Sequence, residues 1–122
     1  MSQVLIAIVD DDESVRNAAK ALVRSLGYHA STFASANEFL KSKQVHDTSC
    51  IVTDVQMPVL SGIDLQDSLI ARGHRIPIIF MTGYPDDSVR ARAMKAGAVC
   101  FLYKPFSPHH LIGCIEKALK AT

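Results

Sequence analysis

Five times along the chain a short apolar run gives way to a longer segment whose apolar residues recur every three or four positions. The runs are Val4–Val9, Tyr28–Phe33, Cys50–Val55, Ile76–Met81 and Val99–Tyr103. Between them, Glu13–Leu26 places Val15, Ala19, Leu22, Val23 and Leu26 on one helical face and stops at Gly27. Ser35 can cap a short helix carrying Phe39 and Leu40. Further helices are predicted over Gly62–Arg72, from Pro85-Asp86 through Lys95 to a stop at Gly97, and after Pro108 through Leu111, Ile112, Ile115, Ala118 and Leu119. Strands that alternate with helices require crossovers, hence a parallel sheet with helices on both faces. Val4–Val9 and Ile76–Met81 are apolar throughout, as strands buried on both faces should be. Tyr28–Phe33 alternates and suits an edge. The expectation is one doubly wound α/β domain of five βα units over residues 1–122, with strand order 2-1-3-4-5.

The rest of the composition narrows the class. With 122 residues, 48% of them apolar, the chain can close one core but not two. Its 13 basic and 12 acidic residues leave a net charge of +1, so no bulk charge drives it to nucleic acid or an anionic membrane. The longest apolar run, Val4–Val9, is far short of a membrane span and lacks the flanks of a signal peptide. Three cysteines, Cys50, Cys100 and Cys114, are an odd number with no Cys-x-x-Cys pair. They read as reduced thiols of a cytoplasmic protein rather than as a disulfide or zinc framework.

Ligands of such sheets gather at the carboxyl ends of the strands. There the first run ends in Asp10-Asp11-Asp12-Glu13, the third around Asp54, the fourth in Thr82-Gly83 and the fifth in Lys104-Pro105. Packed carboxylates repel and raise at least one pKa, a cost that a divalent cation removes. Oxygen ligands without a Cys/His cluster select Mg²⁺ or Mn²⁺ over Zn²⁺. A carboxylate can attack phosphorus, while a lysine and a hydroxyl hold the remaining oxygens. The set therefore fits phosphoryl transfer to Asp54 with the metal held mainly by Asp11. Each residue also has an ordinary explanation. Asp12 and Glu13 read as a helix cap, Asp10 and Asp11 fit a cap as well as a cation site, and Thr82 or Lys104 alone is unremarkable. The argument rests on all four strand ends together.

These stretches carry a family resemblance over the whole chain. Ile8-Val9-Asp10-Asp11-Asp12, Thr53-Asp54-Val55-Gln56-Met57-Pro58, Ser61-Gly62, Met81-Thr82-Gly83, Ala96-Gly97-Ala98 and Lys104-Pro105-Phe106 resemble the receiver domain of bacterial two-component response regulators. Val15-Arg16, Ser35-Ala36-Asn37-Glu38-Phe39-Leu40, Thr82-Gly83 and Lys95-Ala96-Gly97-Ala98-Val99 look most like FixJ-type regulators, which join a receiver to a helix-turn-helix domain. The resemblance implies a flavodoxin-like fold and a signalling role without conventional enzyme turnover. It implies Asp54 as phosphoacceptor, Asp11 as direct metal ligand, Asp10 acting through water and Gln56 offering its backbone carbonyl. Thr82 would be the switch hydroxyl, Lys104 the phosphoryl-binding lysine and Phe101 the switch aromatic, where Tyr is common. Lys104-Pro105 would be cis. Tyr84, two positions past Thr82, is large enough to gate the site, and Gly83 leaves room for a phosphodonor imidazole.

The implied partners are a cognate sensor histidine kinase, an output domain or partner protein outside this chain, and a phosphorylation-dependent homodimer through the surface of the fourth and fifth helices and fifth strand. Neither a membrane nor direct binding of nucleic acid is implied. Two other readings stand beside this one. A Mg-dependent aspartyl-phosphate phosphatase of the haloacid dehalogenase kind wants Asp-x-Asp followed closely by Thr and its lysine before a second acidic motif; here Glu13-Ser14 follow Asp12, and Lys104 follows every candidate acid. A single-domain receiver passing phosphate along a relay fits as well as one feeding a transcriptional output. The remaining groups read as surface. None of His29, His46, His74, His109 and His110 has metal-ligand spacing, Asp86-Asp87 resembles a helix start, and Arg90, Arg92 and Lys95 form a solvated face.

Overall fold

A computed structural model describes residues 3–120. Five strands, β1 (Leu5–Val9), β2 (His29–Phe33), β3 (Cys50–Asp54), β4 (Ile78–Thr82) and β5 (Cys100–Tyr103), form one parallel sheet in the order β2-β1-β3-β4-β5. Five helices alternate with them: α1 (Glu13–Ser25), α2 (Ala36–Lys41), α3 (Gly62–Ala71), α4 (Asp87–Lys95) and α5 (Pro108–Lys120). The expected topology is the observed one. β2 lies at an edge, with Ala30, Ser31 and Thr32 only half-buried, whereas every residue of β3 and β4 is buried.

Alternating side chains of the central strands feed two cores. Ala7, Val9, Ile51, Ile78 and Phe80 pack with Phe39, Leu65, Leu69 and Ala93 of α2, α3 and α4. Ile6, Ile8, Val52, Ile79 and Met81 pack with Ala19, Val23, Leu111 and Ile115 of α1 and α5. Burying each large side chain stabilises the fold by about 1.5–3 kcal/mol. Such burial on both faces explains why these strands read as unbroken apolar runs.

Local chemistry sets the helix starts. Asp12 caps α1 by accepting from the backbone N–H groups of Ser14 and Val15, and Asp86 does the same for α4 at Ser88 and Val89. Ser35 caps α2. Ser61 and Asp64 exchange side-chain and backbone bonds at the start of α3, a reciprocal capping box. β4 begins later than the apolar run suggests, because Pro77 has no N–H to donate; its carbonyl still accepts from Ile51 at 2.9 Å. A 3₁₀ turn at Val45–Asp47 was not expected. Its three residues show no apolar period from which to read it. Among the described residues all three cysteines are free thiols, and no helix is long and apolar enough to cross a membrane.

Candidate functional site

Strand register brings the chemistry together. Val9 of β1 pairs with Thr53 of β3, so Asp10 and Asp54, the next residue on each, reach the sheet's carboxyl rim at one level. Thr82 of β4 pairs with Tyr103 of β5, so Lys104 follows on the same rim. Asp10, Asp11 and Asp54 each offer a carboxylate oxygen within 4.8 Å of the others. Asp10 is fully buried and Asp54 is 7% exposed, while Asp11 is exposed.

Hydrogen bonds separate the roles of the three acids. Asp10 Oδ1 accepts from the Asp12 backbone N–H at 2.9 Å, and Oδ2 pairs with Lys104 Nζ at 2.9 Å. Arg16 Nη1 donates to the Asp10 carbonyl at 2.8 Å and pins the strand end. Both Asp10 oxygens are thus engaged, whereas Asp11 makes no bond among the described residues. Lys104 Nζ also lies 3.4 Å from Asp54 Oδ2. Burial, then the charge of Asp10, push the Asp54 carboxyl above its ordinary range, against the opposing pull of Lys104. Burial pulls Lys104 down, but its bond to Asp10 and the charges of Asp10 and Asp54 outweigh that and raise it. Three hard carboxylates against one ammonium suit an oxygen-seeking divalent cation. The donor set fits Mg²⁺ or Mn²⁺ and offers no soft ligand.

Thr82 is buried on the same rim and makes no hydrogen bond to the three acids among the described residues. Its hydroxyl donates to Gln56 Oε1 at 2.7 Å and accepts from the Tyr84 N–H at 3.0 Å. Sequence reasoning gave Gln56 only a backbone role; its side chain is the partner of Thr82. Phe101 stands away from the rim. Half-buried on β5, it lies 6.0 Å from Phe80 and 5.7 Å from Tyr103 between ring centroids. Tyr84 is 71% exposed, and a side chain added at Gly83 would meet nothing within 4 Å. Lys104-Pro105 is cis. Arg92 pairs with Asp67 at 2.8 Å across an exposed surface, in keeping with a solvated α4 face.

Two supports of the site were also missed. A Cβ on Gly62 would overlap the Asp54 backbone oxygen and sit 3.2 Å from Phe80 Cε1, so only glycine lets α3 start directly beneath the acid. Val59 takes φ +70°, 89% exposed, in a tight turn closed by Leu60 N–H to Pro58 O at 2.9 Å. That conformation is strained for a β-branched residue. Ser61-Gly62 is visible as a sequence signal, but the overlap that demands glycine is not. At the opposite end of the sheet His46 and His74 bring their rings to 5.1 Å, a contact their spacing in the chain does not announce; no third ligand joins them among the described residues.

Comparison with known proteins agrees with this geometry. The family model described as "Response regulator receiver domain" matches residues 6–116. The response regulator protein TmoT of Ectopseudomonas mendocina is 44% identical over 116 residues, covering 95% of this chain and 53% of that protein. The chain thus spans about half the length of that curated relative. The solved structure of the response regulator StyR superposes with a TM-score of 0.91 at 42% identity, over 98% of this chain and 60% of that one. The FixJ-N crystal structure superposes with a TM-score of 0.88 at 35% identity, over 100% of this chain and 98% of its own. The resemblance read from the strand ends therefore holds: the chain belongs to the receiver-domain family of response regulators.

Proposed function

We propose that residues 1–122 form a receiver that takes a phosphoryl group from a histidine kinase phosphohistidine onto Asp54 in a Mg²⁺- or Mn²⁺-dependent step. The observation that carries this reading is the buried Asp54 carboxylate at the rim, facing Asp10, Asp11 and Lys104. Asp54 Oδ would attack phosphorus in line, forming the O–P bond as the donor's N–P bond breaks and the imidazole leaves with the electron pair. Lys104, which lies between Asp10 and Asp54, would turn its ammonium toward a phosphoryl oxygen and pair with it. Asp11 would ligate the metal directly, because it alone of Asp10, Asp11 and Asp54 carries no hydrogen bond or ion pair among the described residues. Asp10, with both oxygens engaged, fits action through a water, and Gln56 would add its backbone carbonyl. When bound, the divalent ion neutralises charge on the acids and on the transferring phosphoryl group.

Thr82 and Phe101 would carry the signal to the surface of α4, β5 and α5. That surface would serve a homodimer, an output domain such as a transcriptional one, or a next phosphorelay partner, in the cytoplasm. The chain would act on itself, through phosphotransfer and autodephosphorylation, without turning over a small phosphate ester. Incubation with acetyl phosphate and Mg²⁺, followed by mass mapping, tests the assignment. One adduct on Asp54, lost in Asp54→Asn, is expected. A full-yield adduct elsewhere, or sustained hydrolysis of p-nitrophenyl phosphate, contradicts it.

A further inference from the structure

The three cysteines, far apart in the chain, meet in the core beneath α1 and α5. Cys50 of β3 and Cys114 of α5 are buried in it, and Cys100 of β5 packs against it half-buried. β5 is an edge strand, so Cys100 has a neighbouring strand on one side only. The Cys114 thiol is hydrogen-bonded to that of Cys100. Burial, then this bond, push Cys114 up to about 12, while Lys117, one turn further along α5, pulls it the other way. Cys50 is sealed off: it is fully buried, its thiol donates to the Ile51 carbonyl at 3.8 Å, and burial pushes it up to about 12. Among the described residues the three sulfurs do not converge as a zinc site requires. Phosphotransfer uses none of them.

We propose that Cys100 and Cys114 are a peroxide-sensitive pair, with Cys100 the thiol that is oxidised first and Cys114 the one that resolves it into a disulfide. Cys100, having lost its proton to solvent, would attack one oxygen of hydrogen peroxide; the O–O bond breaks, hydroxide leaves and takes up that proton, and a sulfenic acid remains. Cys114 sulfur would then attack the sulfenic sulfur, and the sulfenic hydroxyl would leave with the Cys114 proton as water. Two thiols and one peroxide give one disulfide and two waters. A thiol already hydrogen-bonded to Cys100 competes for it at an effective concentration no second chain can match. The bond would fasten α5 to the edge strand beside Phe101.

The reduced, unaltered chain is treated with a small excess of hydrogen peroxide, blocked with N-ethylmaleimide and cut with chymotrypsin, which separates the two cysteines at Tyr103. Mass mapping without reduction should show the Cys100 and Cys114 peptides joined, Cys50 alkylated only after denaturation, and both thiols restored by dithiothreitol. Cys114→Ala should stop at a sulfenic acid on Cys100, trapped by dimedone. Cys100→Ser should slow the peroxide-dependent loss of thiols roughly tenfold. The unaltered chain decides the matter without either variant. Sulfenic or sulfinic acid on Cys100 with Cys114 still free would overturn the proposal, as would unreacted thiols or disulfide-linked dimers. Bridges that include Cys50 would overturn it too, since they would place the oxidation in the unfolded chain.

Discussion

Thr82 and Gln56 are tied side chain to side chain across 2.7 Å, from the end of β4 to the loop two residues past Asp54. Any movement of the Thr82 hydroxyl toward a group on Asp54 must break that bond. Gln56→Met removes the acceptor, keeps the backbone carbonyl, and leaves the Thr82 hydroxyl bonded only to Tyr84, whose N–H donates to it at 3.0 Å and whose carbonyl lies 3.3 Å away. A bond present only in the unmodified state opposes the switch. Gln56→Met should therefore tighten beryllofluoride binding roughly three- to tenfold, the equivalent of one net hydrogen bond. Titration by NMR reads the change. An unchanged or weaker affinity would show that the bond does not restrain Thr82.

The raised Asp54 carboxyl has a defined effect on stability. The folded chain keeps this proton to higher pH than the unfolded chain, whose ordinary value is 3.8. Its contribution is full below that value and is lost as pH rises through the folded value. On the alkaline side the ionised carboxylate disfavours folding, so without divalent ion Asp54→Asn should melt higher than the unaltered chain. The gain should be about 3–6 °C for each kcal/mol, and it should vanish below pH 3.8. Added Mg²⁺ should raise the Tm of the unaltered chain and do so far less in Asp11→Asn. Thermal melts from pH 3 to pH 8 check both. A lower Tm for Asp54→Asn at neutral pH contradicts the sign.

What the sequence made legible is the site's membership. Apolar runs that stop at Asp10, Asp54, Thr82 and Lys104 mark where buried strands meet solvent, and the order of βα units sends all four ends to one rim. Illegible were contacts set by close approach in space. The Gln56 side chain reaches Thr82 across 26 residues of chain. Gln66 looks like any polar residue of an amphipathic helix, yet α4 covers it. No period or spacing encodes either one, because each depends on how two elements happen to face one another.

Gly62 and Gly113 should respond to alanine with opposite signs. At Gly62 the added methyl meets the Asp54 backbone oxygen and Phe80, both held by the sheet. Relief requires α3 to move, at a cost of about 1–3 kcal/mol. At Gly113, within α5, nothing lies within 4 Å, so alanine should gain about 0.5–1 kcal/mol through helix propensity. Urea melts on the two variants decide it. A Gly62→Ala protein as stable as the parent would mean that α3 does not rest on Asp54.

The proposed switch would run from Asp54 through Thr82 to Phe101. A phosphoryl group on Asp54 adds charge and acceptor oxygens within reach of the rim. Thr82, moving toward one of them, would vacate space at the end of β4. Phe101 sits half-buried beside that strand, in register with Phe80 and against its ring. It can turn further inward, and without a polar tip it loses no hydrogen bond in doing so. The surface around Arg90, Lys95 and β5 would change shape accordingly, and a partner that binds only the changed surface shifts the equilibrium by its differential affinity. NMR of the chain with beryllofluoride should show shifts running from Asp54 through Thr82 to Phe101 and α4. Thr82→Ala should cut them off before Phe101. Sedimentation of the same samples should show dimer only with beryllofluoride. Shifts confined to the rim, with Phe101 and α4 unmoved, would refute the relay. A monomer whose α4 and β5 surface has nevertheless changed would refute only the homodimer.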